Sequence, residues 1–403
     1  MHWLTWKEVR EISKKKTLIF FGRSEEWVRK SLKVVKPKYI VDSQELFWGS
    51  KYENVEIVSI NSKKIKSIKN PFFVITTGSY ESVIEILNKK KLKPGIDYAC
   101  CPEYKDFAEL NFLRNYKKKI IFTSPDYQQK RGTRFSKAGG GIFITEIGLS
   151  HDKFSYEKKI DGQFRQIIKY KGNYLCVEHD HGKILIIDKK FKILDTIPLS
   201  SPNCCGIEFC NVNNLIYVAN THTDQIFVLN DEFRLINKIN FGKLSGDKRE
   251  SRYHINDLTC KNGNLYVSYF SKKGIWKDGK FDGGVSLYSL NSNKFKTVIK
   301  GLYMPHTPKF LKNDLFVCDS SRGRLIKNGK NISEFAGFLR GLDHDERYIF
   351  LGLSETMYFS RLLKLNKLLN LNASIVVFDI KKKISRVYNL LDIGNIHEII
   401  LSY

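Results

Sequence analysis

The sequence predicts two fold classes in series: an α/β first third and an all-β remainder. Three observations carry this. Short apolar strands alternate with helix-period segments up to about residue 115. From Gly141 onward, strand-sized apolar runs follow one another, divided by polar turns. One phrase then returns every roughly 40–50 residues: a first strand, a turn, a second strand, a polar loop and a third strand.

A chain of 403 residues exceeds the usual size of one domain, which agrees with two. The longest apolar runs, such as Ile184 to Ile187 and Ser374 to Phe378, fall far below the roughly 18 residues of a membrane-spanning helix. Residues Met1 to Glu8 show no apolar core of a secretion signal, so a cytoplasmic protein is expected. The eight cysteines form no C-x-x-C pair. They predict a reduced protein with neither disulfide framework nor zinc site, in which Cys176, Cys260 and Cys318 act as small hydrophobes. The net charge of +26 divides into +14 over residues 1–137 and +12 over the rest, carried mostly by lysines at turns. So even a spread indicates solubility first. Attraction to a phosphate-bearing or acidic partner comes second, and nucleic acid is not the expected partner.

In the first third, Thr17 to Gly22 reads as a buried strand ending in glycine. Ser24 caps a helix running to Leu32, and Tyr39 to Asp42 is a second strand ending in an acid. Val55 to Val58 and Phe72 to Gly78 are further strands, the latter leading into a helix from Tyr80 to Asn88. Such alternation makes a parallel sheet, whose ligands bind at the carboxyl ends of the strands. Gly22, Asp42, Thr77 and Gly78 would lie there, with Asp42 placed to accept from a ribose hydroxyl. The glycine fingerprint of dinucleotide binding is incomplete, and Glu25 and Glu26 would repel a pyrophosphate at that helix start. Residues 16–115 resemble the Rossmann-like domain that precedes the catalytic part of bacterial sugar acyltransferases and recurs in surface-glycan enzymes. That resemblance implies a nucleotide sugar at Gly22, Asp42, Thr77 and Gly78. A Rossmann-like domain that only packs or dimerises is the alternative.

Residues 1–115 are thus read as an α/β domain, 116–138 as a connection and 139–403 as a second domain. The connection carries a basic cluster, Lys130, Arg131, Arg134 and Lys137, before Gly139-Gly140-Gly141; no P-loop follows.

Five repeats follow, with second strands at Tyr174 to Glu178, Leu215 to Asn220, Leu265 to Ser268, Leu315 to Cys318 and Tyr348 to Leu353. The tail, Ile396 to Leu401, is a lone inner strand. Completed by Gly141 to Glu146, it would close a sixth unit and remove the open edge. The expectation is a six-bladed β-propeller. Met304-Pro305-His306-Thr307-Pro308, Asp319 to Gly323, Gly337 to Leu342 and Gly352 to Glu355 resemble an uncharacterised bacterial propeller family of the DUF4915 type, from about residue 139 to the end. That family has serine where this chain has Thr307, which keeps the hydroxyl. The resemblance implies a fold and no established reaction.

A propeller gathers its inner strands around one channel. His254, Asp257, His306, Arg340, His397 and Glu398 are therefore candidate catalytic groups, with His254 or His306 as base and Arg340 on a substrate carboxylate or phosphate. Asn256 and Asp343 are candidate ligands of a divalent metal. Alternatively, these groups tie the strands together. His179-Asp180-His181 and Thr221 to Asp224 read as solvated turns, and the Lys272 to Gly283 and Met357 to Asn372 insertions as a lid or binding face. Two functional classes remain. One is a surface-glycan enzyme acting on a sugar or nucleotide sugar by acid/base or metal-assisted chemistry, a lactonase-like hydrolase included. The other is a non-catalytic propeller that binds or assembles protein partners.

Overall fold

The computed structural model describes residues 3–104, 113, 116–126, 136–148, 154–243, 251–355 and 372–403. The chain divides into two compact units, residues 1–112 and 113–403.

The first unit is built on parallel strands Thr17–Phe21, Tyr39–Val41, Val55–Val58, Pro71–Ile75 and Tyr98–Cys100. A two-residue strand, Lys51–Tyr52, adds antiparallel to Val55–Val58. Thr17–Phe21 lies centrally between Tyr39–Val41 and Pro71–Ile75. The chain therefore winds outward in both directions, and the sheet is partly Rossmann-like. Alternate residues feed two cores. Leu18, Phe20 and Val74 pack with Val9 and Val28 of helices Trp6–Ser13 and Glu25–Leu32. Ile19, Phe21 and Ile75 pack with Tyr80, Val83 and Leu87 of helix Tyr80–Lys89.

The second unit is a six-bladed propeller of four-stranded antiparallel sheets. Blades one to five have inner strands Phe164–Tyr170, Cys204–Cys210, Ile255–Lys261, Pro305–Leu311 and Phe338–His344. Blade six closes the ring differently from the expectation. Its inner strand is Glu398–Leu401, but this pairs with Lys118–Ser124 (Ile399 opposite Phe122), and only then come Gly141–Ile147 and Tyr156–Asp161. The segment read as a connection thus supplies a strand, because Ile120, Ile121 and Phe122 are apolar and need full burial, which they find here.

The cysteines also require a correction. Cys210 and Cys260 form a disulfide between the inner strands of blades two and three, with Cα atoms 5.6 Å apart. The other six are buried free thiols. Strand ends of adjacent blades meet in space, which a separation of 50 residues does not reveal. Among the described residues, no helix is long and apolar enough to cross a membrane. The Met357 to Asn372 insertion, Asn372 excepted, and Lys130, Arg131 and Arg134 lie outside the described residues.

Candidate functional site at the propeller channel

A shared backbone feature builds the site. In each of blades one to five the inner strand gains one residue on its neighbour near its start, between Phe164 and Ile167, Cys204 and Gly206, Ile255 and Leu258, His306 and Lys309, and Arg340 and Leu342. Such bulges re-aim side chains and bend the strand. They turn the two-residue repeat of a strand face into a three-residue step. Cys205 and Glu208, His306 and Lys309, and Arg340 and Asp343 each span that step. Gly206 and Gly341 sit in the bulges because the next blade passes too close for a side chain. A Cβ on Gly206 would strike the Asn256 carbonyl oxygen, and one on Gly341 would stand 2.8 Å from the Ile399 nitrogen. His254, Met304 and Thr307 adopt φ of +54°, +51° and +50° just ahead of or within these bulges, a conformation that costs about 1–2 kcal/mol and survives only in a firm setting.

Beneath the channel mouth lies a buried layer containing five of the six residues expected to be catalytic. Asp257 is fully buried and its Oδ2 accepts from the Thr307 N–H at 2.9 Å. Thr307 Oγ1 in turn accepts from the Gly341 N–H at 3.1 Å. Glu398 Oε1 accepts from the N–H groups of Leu342 (3.1 Å) and Ile399 (2.9 Å). Gln166 Oε1 accepts from the Ile207 N–H at 2.8 Å. All but the Ile399 bond join one blade to the next, as buried polar groups require.

The imidazole of His306 is committed within the layer. Its Nδ1 lies 2.9 Å from both the Met304 carbonyl and Ser320 Oγ, and Arg340 Nη2 lies 2.9 Å from its Nε2. A guanidinium only donates, so Nε2 is the accepting nitrogen and Nδ1 carries the proton. Burial, then Arg340, holds the His306 pKa well below the ordinary value. His397 is depressed likewise by burial, then by Arg340 and Arg165, and its Nε2 lies 3.9 Å from Asp257 Oδ1. Burial raises the Asp257 carboxyl to about 6, against the opposing pull of Thr307, Arg340 and Arg165. Burial raises Glu398 to about 8, with Lys309 opposing. Arg340 also donates to Asn395 Oδ1 at 3.4 Å and lies 4.9 Å from the centroid of the Phe338 ring.

The sixth residue, His254, belongs to the rim. With His179, Asn203, Thr221, His222, Ser251, Trp276 and Lys277 it lines an open cavity of about 270 Å³. The His254 ring lies 4.1 Å from that of Phe270 and 4.4 Å from that of Trp276. Trp276 comes from the Lys272 to Gly283 insertion, whose base is closed by Ser271 Oγ donating to Asp282 at 2.6 Å. The Trp276 indole N–H donates to the Ser251 carbonyl at 3.3 Å. His179 Nδ1 lies 3.1 Å from the Cys204 carbonyl and 3.7 Å from Cys205 Sγ. The two loops read as solvated turns therefore bring His179, Thr221 and His222 to the cavity. The signal was available. In a propeller, the loop after a second strand and the start of the next inner strand share one face.

Further along the channel, Lys309 Nζ pairs with Asp343 Oδ1 at 3.0 Å, and Glu208 Oε2 accepts from Thr259 Oγ1 at 2.9 Å. Asn256 Oδ1 is engaged by Ser268 Oγ and the Asp257 N–H within its own blade. Asn256 and Asp343, the expected metal ligands, thus have separate partners. Among the described residues no group of three or more His, Cys, Asp or Glu is arranged to hold a metal.

In the first unit, Gly22, Asp42 and Thr77 line a cavity of about 260 Å³ with Arg23, Ser24 and Ser79. Gly22, at φ +96°, leaves no room for a Cβ beside Thr77. Asp42 Oδ1 accepts from the Gln44 N–H at 2.8 Å, while Oδ2 faces Arg23 Nε at 4.0 Å. Gly78 does not line this cavity; its N–H donates to Ser24 Oγ at 3.3 Å.

Residues 205–400 match the family model described as "Domain of unknown function (DUF4915)". The match begins in the inner strand of blade two, so the DUF4915 segment takes in blades two to five and the closing strand. No curated protein matches the chain. Among solved structures, a nidogen/laminin complex is similar over 71% of this chain and 98% of its own, at 9% identity and a TM-score of 0.50. A Bacteroides caccae protein of unknown function covers 71% and 99%, at 12% identity and 0.48. An auxiliary nutrient binding protein from Bacteroides thetaiotaomicron VPI-5482 covers 68% and 77%, at 13% and 0.37. At these identities the similarity concerns the fold.

Proposed function

We propose that the second unit is a small-molecule-binding propeller whose ligand is a sugar, held in the cavity at the channel mouth. One observation carries this reading: an indole, three imidazoles, an amide and two hydroxyls line an open cavity. Five of the six candidate catalytic groups are buried beneath it. Trp276 offers an apolar face for a pyranose ring, and the polar groups offer bonds to its hydroxyls. At about 270 Å³ the cavity is smaller than the roughly 300–1,000 Å³ of drug-sized pockets, which suits a single sugar ring. Binding is favoured over acid/base catalysis because the lone pair of His306 is engaged by Arg340. The surface-glycan connection rests on the resemblance of the first unit.

Calorimetric titration of the full chain with a panel of monosaccharides and uronic acids tests the reading. Binding is expected, weakened at least tenfold in Trp276→Ala. Binding unchanged in that variant would move the site elsewhere.

A second reading concerns the first unit. Its cavity lies at the carboxyl ends of the central parallel strands, where such sheets bind ligands, and suits the nucleoside part of a nucleotide sugar. Stabilisation by nucleotide sugars that disappears in Asp42→Ala would support it; equal stabilisation of both proteins would remove Asp42 from the site.

A further inference from the structure

We infer that Asp224 and Asp282 are positioning residues for Trp276, the aromatic wall of the channel-mouth cavity. Their effect on a ligand rests on that cavity being the sugar site. Neither aspartate is among the residues lining it. Each holds a segment that is.

The chain from Ser251 to His254 reaches the inner strand of blade three without itself belonging to a strand. Its backbone N–H groups therefore need acceptors other than a sheet ladder. Asp224, 1% exposed, supplies them. Its Oδ2 accepts from the N–H groups of Arg252 (2.6 Å) and Tyr253 (2.8 Å). Its Oδ1 accepts from the Ile255 N–H (3.1 Å) and the Ser251 hydroxyl (3.4 Å). All four partners donate, which suits a carboxylate; an amide would turn an NH2 group toward some of them. This clamp fixes two residues that line the cavity, Ser251 and His254. It also fixes the Ser251 carbonyl, which accepts from the Trp276 indole N–H at 3.3 Å.

Asp282 holds the same indole through the backbone. Its Oδ1 accepts from Ser271 Oγ at 2.6 Å and from the Lys272 N–H at 2.9 Å. Ser271 Oγ accepts in turn from the N–H of Ile275, the residue before Trp276, at 3.0 Å. The two clamps meet at Tyr253, whose carbonyl accepts from the N–H groups of Phe270 (3.0 Å) and Ser271 (3.2 Å). Trp276 is thus tied at its ring nitrogen on one side and at the start of its helical turn on the other. A wall fixed before the ligand arrives loses less affinity to ordering on binding.

Trp276 is the one tryptophan of the second unit, the others being Trp3, Trp6, Trp27 and Trp48. Fluorine NMR of the full chain labelled with fluorotryptophan therefore reads its surroundings, its resonance being the one lost in Trp276→Phe. In Asp224→Asn and in Asp282→Asn that resonance should move or broaden while the other four stay in place. An unmoved resonance in either variant overturns the role of that aspartate, even where the melting temperature falls. If Asp224→Asn does not fold, Asp224→Glu decides, since it keeps the acceptors but displaces them by one methylene. The second arm is titration with glucose and with glucuronate. Each variant should weaken whichever sugar binds by about three- to tenfold, and should add nothing in a Trp276→Ala background. An equal further loss in that background overturns action through Trp276. If neither sugar binds the wild-type chain, the sugar reading fails for them, and the fluorine spectra alone decide the positioning.

Discussion

Two sets of imidazoles stand at two depths of one channel, and depth alone separates what they can do. His179, His222 and His254 are half-buried on the rim and face an open cavity. His306 and His397 lie one layer down at 1% exposure, where burial and the two arginines keep them neutral. In the lower set His306 serves as a fixed donor and acceptor within a packed ring. The upper set lines the cavity wall. A histidine near a channel is therefore not evidence of chemistry until its depth and partners are known.

The sharpest way to break this contrast is to remove a lower-layer charge. Asp257→Ala deletes the tie to Thr307 and the counter-charge to Arg165 and Arg340. A loss of about 3–5 kcal/mol in denaturant unfolding is expected, as when a buried pair is broken. If the loss is under about 1 kcal/mol, the lower layer is not structural.

Glu398→Gln tests the same layer through pH. The folded-state value of about 8 lies above the unfolded value near 4.3. Folding therefore favours the protonated acid. The wild-type chain keeps this contribution below about pH 4 and loses it as pH rises through 8. Gln keeps an oxygen for the Leu342 and Ile399 N–H groups and does not ionise. The variant should gain on the wild type between pH 5 and 9, by a few kcal/mol at most, read as melting temperature against pH. Parallel pH curves would mean that Glu398 is not held protonated. His306 and His397 act oppositely, lowering stability as pH falls below about 6.5, and are common to both proteins.

Gly206→Ala places a methyl group against the backbone of blade three, and a loss of about 1–3 kcal/mol is expected from the forced shift. At the small end, His222→Ala on the rim should change stability by less than about 0.5 kcal/mol. A rim substitution as costly as Asp257→Ala would erase the distinction between the layers.

Much of the fold was legible. The period of the repeat, the second strands and the lone C-terminal strand predict six blades, because strand periodicity and turn residues are local properties. The strand at Lys118–Ser124 was misassigned although Ile120-Ile121-Phe122 is plainly apolar, since nothing local says which sheet a strand joins. The site was legible as a set of residue types but not as an arrangement. His254 stands just ahead of its inner strand and His306 is the second residue of its own, so one reaches the cavity and the other is clasped by Arg340. His179 and His222 sit in loops whose composition is that of ordinary turns.

By itself the sequence determined the two fold classes, the blade count and the ring of polar residues at the inner-strand starts. These follow from spacing, which the chain carries in one dimension. Tertiary structure decided which polar groups were satisfied by neighbouring blades and which were left facing a cavity. That choice depends on one-residue bulges in five separate strands and on distances between blades far apart in sequence. Burial then set the charge states, since desolvation depends on what surrounds a group in space rather than on what adjoins it along the chain.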